Sequence, residues 1–530
     1  ADRMLRDYEA VISRNSQQKE NEKDGLHILL ISIHGLIRGG NLELGRDADT
    51  GGQIKYVLEL TRALAQQPEV AQVVLLTRRI DDAQIDDDYA QAVEELGDGA
   101  RIVRLDAGPP EYLPKETLWD HLDTFTDNAL TYLRTTDALP DLVHSHYADG
   151  GYVGSRLSAQ LGVPLIHTGH SLGRVKRRRL LATGLDSTTI EQRYSMSRRI
   201  EAEEQTLAIA ERVITSTSQE IEEQYGFYDH YQPDQMRVIP PGTDLLHFHP
   251  PQGDEWQNPI SEEICRFLRD PQKPIILALS RPDTRKNIGA LVTAFGESEE
   301  LQTAANLLIV AGNRDDISEL DEGAQEVWTD LLLLIDRYDL YGRAAYPKHH
   351  GADDVPLIYR LAAASGGVFV NPALTEPFGL TLIEAAASGL PIVATEDGGP
   401  RDIISNCENG LLIDPLDTSA IAKALTQVLS DWEGWQQRST NGLQGVREHY
   451  SWQAHAVRYL EVVRPIIEKT EALARRPPRT RRAMLYHDRA IFTDLDQNLL
   501  GDPKSLSVLV KVLRENRKCA TFGIATGRRL

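Results

Sequence analysis

The chain alternates short apolar runs, rich in β-branched residues, with longer stretches in which apolar residues return every three or four positions. That alternation predicts strands and helices in turn. The first run, Leu26 to Ile33 (LHILLISI), is nearly unbroken and reads as a buried parallel strand. Runs of the same kind follow at VVLLT (73–77), IVRL (102–105), LVHSH (142–146), PLIHT (164–168) and RVITS (212–216). A second series begins at PIILALS (274–280) and continues through NLLIVAG (306–312), RAAYP (343–347), GVFV (367–370) and PIVAT (391–395). Helical spacing is plainest at Ile54, Val57, Leu58, Thr61 and Leu64, and again over Ser451 to Glu468. Two strand-and-helix series predict an α/β protein with two doubly wound sheets.

The expected organisation is a charged leader (1–25), a first domain (26–249) and a second domain (250–473), followed by a basic, proline-bearing linker (474–483) and a tail (484–530). The acidic, proline-containing stretch 250–273 reads as an interdomain connection. The helix over 451–468 is expected to pack back on the first domain.

Open α/β sheets bind ligands beyond the carboxyl ends of their strands, so those loops are where chemistry is sought. After GVFV the loop carries Glu376-Pro377-Phe378-Gly379, and a helix then begins at Leu380 and stops at Gly389. Backbone N–H groups of Gly379 to Thr381, with the positive end of the helix dipole, are aimed at an anion. Glu376 precedes that helix and Glu384 lies inside it. After the first strand, a glycine-rich loop ends in Gly51 and Gly52, which permit close backbone approach to a phosphate. Arg281 to Asn287 (RPDTRKN) puts cations at the end of the second domain's first strand. His144, His146, His167 and His170 gather at two strand ends, and one of them is expected to face a ligand. Arg174 and Lys176 to Arg179 form the densest basic run, and Arg198 and Arg199 precede acidic residues with which they could pair locally, Arg199 with Glu203 and Arg198 with Glu201.

At 530 residues the chain is large enough for two substantial cores, and 41% hydrophobic with 26% charged residues is a soluble composition. No apolar run approaches the about 18 residues of a membrane span, and the first 25 residues are too charged for a secretory signal. A cytoplasmic protein is expected. Cys265, Cys407 and Cys519 are few and far apart, which gives no disulfide framework and no zinc site. A net charge of -22 opposes nucleic acid as a partner and makes local clusters of cations informative.

Six stretches together, HGLIRGGNLELGRDADTGGQIKYVLEL, TGHSLGR, SRPDTRKN, AGNRDD, AYPKHHGADDVPLIYRLAA and EPFGLTLIEAAASGLPIVAT, resemble the retaining glycosyltransferases of the GT-B fold, in the family that includes sucrose synthase. EPFGLTLIE matches that family's E-x7-E motif. The resemblance implies two Rossmann-like domains facing a cleft, and glucose transfer from UDP-glucose, with ADP-glucose as an alternative donor, to fructose 6-phosphate. The products would be sucrose 6-phosphate and UDP; the relative that takes free fructose is the alternative. By motif, Arg281 and Lys286 would hold the diphosphate, Gly51 and Gly52 would approach it from the other domain, and Glu384 would take the ribose hydroxyls. Glu376 with Phe378, Gly379 and Leu380 would hold the glucose, and His170 would contact it. Gln53, Tyr147 and Ser171 would touch the acceptor sugar, while Lys115, Lys176, Arg198 and Arg199 are candidates for its phosphate. Transfer in this family requires no metal or other cofactor, and association with a separate sucrose-phosphate phosphatase is implied as a partnership.

The tail carries AIFTDLDQNLLGD and TFGIATGRRL, which resemble the first two motifs of haloacid-dehalogenase-like phosphatases. The usual D-x-D-x-T reads Asp494-Leu495-Asp496-Gln497-Asn498, and the residues through Leu530 supply neither the later lysine nor the later carboxylates. An incomplete phosphatase-like segment is expected, with no Mg2+ held at Asp494 and Asp496. Ala1 in place of an initiator Met suggests trimming.

Overall fold

The computed structural model describes residues 25–43, 46–47, 49–136, 139–474, 490–494, 503–515 and 521–525. The leader up to residue 24, residues 475–483 of the basic linker, and Asp496 lie outside the described residues.

The first sheet contains β1 (Leu26–Ile31), β2 (Val70–Arg78), β3 (Val93–Gly97), β4 (Ala100–Leu105), β5 (Leu142–His146), β6 (Leu165–Thr168), β7 (Arg212–Thr215) and β8 (Met236–Val238), in the order β3-β4-β2-β1-β5-β6-β7-β8. All neighbours run parallel except β3 and β4. Alternate residues serve opposite faces: Leu29, Ile31, Val74 and Val143 enter one core, and Ile28, Leu30, Val73 and Leu142 the other. A sheet buried on both faces gives unbroken apolar runs, which is why its central strands stand out in the sequence.

The second sheet contains β9 (Ile275–Ser280), β10 (Asn306–Ala311), β11 (Ala344–Ala345), β12 (Val368–Asn371), β13 (Ile392–Thr395) and β14 (Gly410–Ile413), all parallel, in the order β11-β10-β9-β12-β13-β14. In both sheets the strand order reverses beside the first strand, between β1 and β5 and between β9 and β12. Those two switch points open a crevice at the carboxyl ends. Six helices bear on the crevice and its supports: α1 (Gly52–Ala65), α2 (Tyr147–Leu161), α3 (Gly173–Ala182), α4 (Met196–Ile209), α5 (Leu380–Ala387) and α6 (Trp452–Ala474).

The stretch 250–273 is not a loose connection. Residues Pro259–Cys265 form a helix capped by the Asn258 side chain, and Phe248, Ile260, Ile264 and Leu268 are buried in the second domain's core. The sheets are instead joined where two crossings meet. The Thr243 N–H donates to the Tyr450 carbonyl at 2.7 Å, and Thr243 pairs with Ser451 as an isolated parallel bridge. From there α6 runs back over the first sheet, burying Trp452, Ala456, Tyr459, Leu460 and Val463 beside Ile28, Val57 and Ile214. Gly242 sits so close to this helix that an added Cβ would lie 2.3 Å from the Trp452 backbone nitrogen.

From Glu468 onward the chain forms a separate compact unit, in which β15 (Ala490–Asp494) and β16 (Thr521–Ala525) pair in parallel with the helix Pro503–Glu515 between them in sequence. Among the described residues no helix is long and apolar enough to cross a membrane.

Gly242→Ala should destabilise the protein by about 1–3 kcal/mol, the usual cost of overpacking. Gly226→Ala, where an added Cβ meets nothing within 4 Å, should stay within about 0.5 kcal/mol of the parent. Urea unfolding of both variants checks the difference, and equal midpoints would show that the crossing is not tightly packed.

Candidate functional site

On the second sheet's side, β12 ends at Asn371 and the chain turns through Gly379, whose φ of +101° suits glycine, into α5. No side chain caps this helix, and the Leu382 N–H makes the first bond of its opening turn, to the Gly379 carbonyl at 3.0 Å. The helix start therefore keeps its field for a guest. Glu376 stands before it, only 9% exposed. Its carboxylate accepts from Lys286 Nζ at 2.7 Å and from Asn371 Nδ2 at 3.0 Å. Its backbone is also pinned: the Glu376 N–H donates to the Asp397 carbonyl, and its own carbonyl accepts from the Gly399 N–H.

Lys286 closes the short 3₁₀ turn Thr284–Lys286 that follows β9, and the Asp283 side chain caps that turn. The Asn287 amide donates to the carbonyls of Pro372 and Pro415, so the two cation- and carboxylate-bearing loops are tied together. Arg281 is exposed at the strand's end, whereas Arg285 folds back on Asp283. Phe378 packs against the second core and Leu380 is 49% exposed. Inside α5, Glu384 accepts from the Tyr359 hydroxyl at 3.3 Å. Burial pushes its carboxyl up to about 7, against the opposing pull of Lys55, which comes from α1 on the first domain.

Facing this, α1 begins at Gly52 with Gly51 as its uncapped N-terminus, and an added Cβ at either glycine would meet nothing within 4 Å. Gln53 donates through Nε2 to Ser32 Oγ at 3.1 Å. Tyr147, at the start of α2, and His170, just past β6, both hold a left-handed backbone, with φ of 65° and 56°. Such strain in non-glycine residues persists where the surroundings over-determine it and gathers at functional sites. His170 Nε2 lies 3.0 Å from His146 Nδ1, and its ring meets the edge of Tyr56 at 4.9 Å. Nearby, His34 Nδ1 is 2.7 Å from Asp149 Oδ2, both buried. Burial pushes the His170 imidazole down to about 3 and His167 and His455 to about 4, so these rings are neutral at ordinary pH.

The proposed anion-holding side chains of the first domain do not all behave alike. Lys115 pairs with Asp49. Lys176 lies 4.0 Å from Glu116 and over the Tyr194 ring at 4.2 Å. Burial first, then the charges of Arg199 and Lys115, hold its ammonium below the usual lysine range. Three cations thus converge, with Asp49, Glu116 and Glu203 as the carboxylates beside them. Arg199 is buried against Glu203 at 3.0 Å, donates to the Ser171 carbonyl at 2.7 Å and hydroxyl at 3.2 Å, and lies over the Tyr147 ring. Most of its fork is therefore taken. Arg198 turns away to Asp120 at 2.6 Å, on the exposed surface, and not to Glu201 as the helical spacing suggests. Consecutive residues on a helix point about 100° apart, so one arginine of the pair goes in and the other out.

Sequence reasoning passes over Tyr56, Lys55, His34 and Asn371. Tyr56 and Lys55 lie on α1 just beyond Gly51 and Gly52, and Asn371 reads only as the end of its strand. His34 opens the glycine-rich loop, but its partner Asp149 is 115 positions away. Among the described residues no group of three or more His, Cys, Asp or Glu is arranged to hold a metal ion.

The chain is similar to known glycosyltransferases. A model described as glycosyl transferases group 1 matches residues 260–444, and one described as a glycosyl transferase 4-like domain matches residues 51–242. Among curated relatives, a probable sucrose-phosphate synthase 1 of Oryza sativa subsp. indica is 46% identical over 507 residues, 84% of this chain and 47% of the relative. Sucrose-phosphate synthase 1 of Arabidopsis thaliana is 45% identical over 506 residues, 84% of this chain and 48% of the relative. The chain spans about half the length of the curated relatives it matches. Among solved structures, a sucrose-phosphate synthase from Thermosynechococcus elongatus superposes with a TM-score of 0.59 at 29% identity, covering 84% of this chain and all of that one.

The raised carboxyl of Glu384 has a signed consequence. A carboxyl whose folded pKa stands above its ordinary 4.5 favours the fold at low pH and loses that contribution as pH climbs through about 7. Glu384→Gln removes the titration, so its stability relative to the parent should rise between pH 4.5 and about 7 and stay level above. Unfolding midpoints across pH check this, and a gap independent of pH would contradict it.

Proposed function

From a chain that carries the GT-B fold and two glycosyltransferase domains, we propose retaining transfer of glucose from UDP-glucose to fructose 6-phosphate, giving sucrose 6-phosphate and UDP. The observation that carries it is the Lys286–Glu376 pair at 2.7 Å beside the uncapped start of α5, across the crevice from His170. In this reading Lys286, Arg281 and the N–H groups of Gly379 and Leu380 receive the diphosphate, with Gly51 and Gly52 approaching from the other side. Glu384 takes the ribose hydroxyls. Glu376, Phe378 and His170 surround the glucose. Gln53, Tyr147 and Ser171 meet the acceptor sugar, and Lys176 with Lys115 and the remaining donor of Arg199 take its phosphate; Arg198 is left outside.

As the C1–O bond to the diphosphate breaks, positive charge grows on the sugar ring and negative charge on the departing phosphate. Lys286, Arg281 and the α5 N-terminus stabilise that anion. Glu376 is ill suited to attack C1, because Lys286 and Asn371 already hold its carboxylate. The acceptor hydroxyl therefore attacks from the face that the diphosphate leaves, its proton passing to the departing phosphate oxygen as the new C1–O bond forms. Retention follows without a covalent intermediate. ADP-glucose is the competing donor. The setting is the cytoplasm, with a separate sucrose-phosphate phosphatase as the enzyme that consumes the product.

Two measurements test this. UDP release from UDP-glucose should be faster with fructose 6-phosphate than with free fructose by about 10² to 10⁴-fold, two charged hydrogen bonds at about 1.5 to 3 kcal/mol each. Lys176→Ala should shrink that preference. Equal rates with both acceptors would overturn the reading. Lys286→Ala should lower turnover by about 10²-fold or more with little change in unfolding midpoint, and near-parental turnover would remove its role at the leaving group.

A further inference from the structure

Five neutral or buried rings meet beneath the crevice: His144, His146 and His170 from the strand ends, Tyr56 from α1, and His455 from α6. Each neutral imidazole carries one N–H and one lone pair, so every contact it makes constrains the next. His455 Nδ1 lies 2.7 Å from the Pro240 carbonyl, which can only accept. His455 therefore holds its proton on Nδ1, and its Nε2 accepts from the Tyr56 hydroxyl at 3.3 Å. His144 Nε2 faces Thr168 Oγ1 at 3.0 Å while its Nδ1 is buried without a partner. A buried orphan N–H is rarer and costlier than an orphan lone pair, so His144 donates from Nε2 and leaves the lone pair on Nδ1.

The contact between His146 and His170 obeys the same constraint. His146 is fully buried, and its Nε2 has no partner. Its Nδ1 is 3.0 Å from His170 Nε2, and one of these two nitrogens must donate. If His170 donated, the His146 proton would sit on the orphaned Nε2. We propose that His146 is a positioning residue that donates from Nδ1 to His170 Nε2, fixing His170 as the Nδ1–H form and leaving that N–H as its donor toward the crevice. The orientation is held as well as the proton. The Tyr56 ring stands edge-on to His170 at 4.9 Å and to His146 at 5.9 Å, and is itself braced by Trp452 at 5.3 Å. Burial keeps both histidines unprotonated and so preserves the one-donor, one-acceptor pattern.

This inference rests on the proposed transferase reading for its purpose, which is to present a donor to a hydroxyl oxygen of the glucose. The other tautomer would present a lone pair there. It does not rest on that reading for its test. An asparagine at 146 places an amide N–H where Nδ1 stands, whereas leucine fills the space without a donor. With 15N-labelled histidine, and His170 assigned by loss of its signals in His170→Gln, the parent should show a proton on His170 Nδ1. His146→Asn should keep that pattern. His146→Leu should move the proton toward Nε2 and lower kcat for UDP-glucose and fructose 6-phosphate by about ten- to a hundredfold with the donor KM little changed, and His146→Asn should recover most of that loss. A parent His170 protonated on Nε2, or an unchanged pattern in His146→Leu, would overturn the proposal. If His146→Leu fails to fold, the parent and His146→Asn spectra still decide. If no glucose is transferred by any form, the transferase reading falls while the nitrogen pattern continues to decide this one.

Discussion

The contact on which the rest depends is the one between two backbone crossings, Thr243 against Ser451, locked by the close seat of Gly242 on Trp452. Neither sheet's carboxyl edge is a site alone. The first offers glycines, a strained histidine and basic side chains; the second offers a lysine, two glutamates and a helix start. Only because the chain leaves the first domain and re-enters it at one point, and then anchors α6 over the first sheet, do the two edges face each other. The Tyr56–His455 hydrogen bond ties that same anchor to the rings under the crevice.

Much of the fold was legible because strands buried on both faces must be apolar throughout. The strands that escaped notice are those this rule does not cover. β3 (VEELG) is an antiparallel edge strand with mostly part-exposed, acidic positions, β8 has three residues, and β14 lies half-exposed at the rim. The stretch 250–273 misled for a different reason: acids such as Asp254, Glu262 and Asp270 lie on the surface, while Ile260 and Ile264, four apart, mark a buried helical face. At the site, a loop after a strand could be read locally, and so Lys286, Glu376 and Gly379 stood out. Side-chain destinations could not. Nothing in Arg198-Arg199 says which one enters the protein, and Tyr56 finds its partner 399 positions away.

The acidity of the whole molecule sharpens the meaning of its few concentrated cations. With a net charge of -22, the long-range field repels the phosphorylated compounds proposed here, so capture relies on short-range contacts inside the crevice. Lys115, Lys176 and Arg199 press on one another there, each partly held by a carboxylate of its own domain. Those carboxylates, Asp49, Glu116 and Glu203, keep the cluster tolerable when empty, and an entering anion competes with them.

Six helices begin with their own caps: Asp186, Asn258, Ser298, Asp321, Asp417 and Asp431 each receive a backbone N–H at a helix start. The helices that open onto the crevice at Gly51 and Gly379 have none, as is also true of those starting at Leu122, Ile288 and Asp354; after Leu172 the Gly173 N–H donates to Glu203 and the Arg174 N–H to the Tyr228 hydroxyl. A missing cap forgoes about 1 kcal/mol of folding stability. Installing an aspartate at Gly51, where the backbone is not left-handed and an added Cβ has open space, would make a sturdier protein and a poorer host, because the carboxylate would satisfy the amides that a guest's oxygens otherwise reach. At that helix start durability is traded against receptivity.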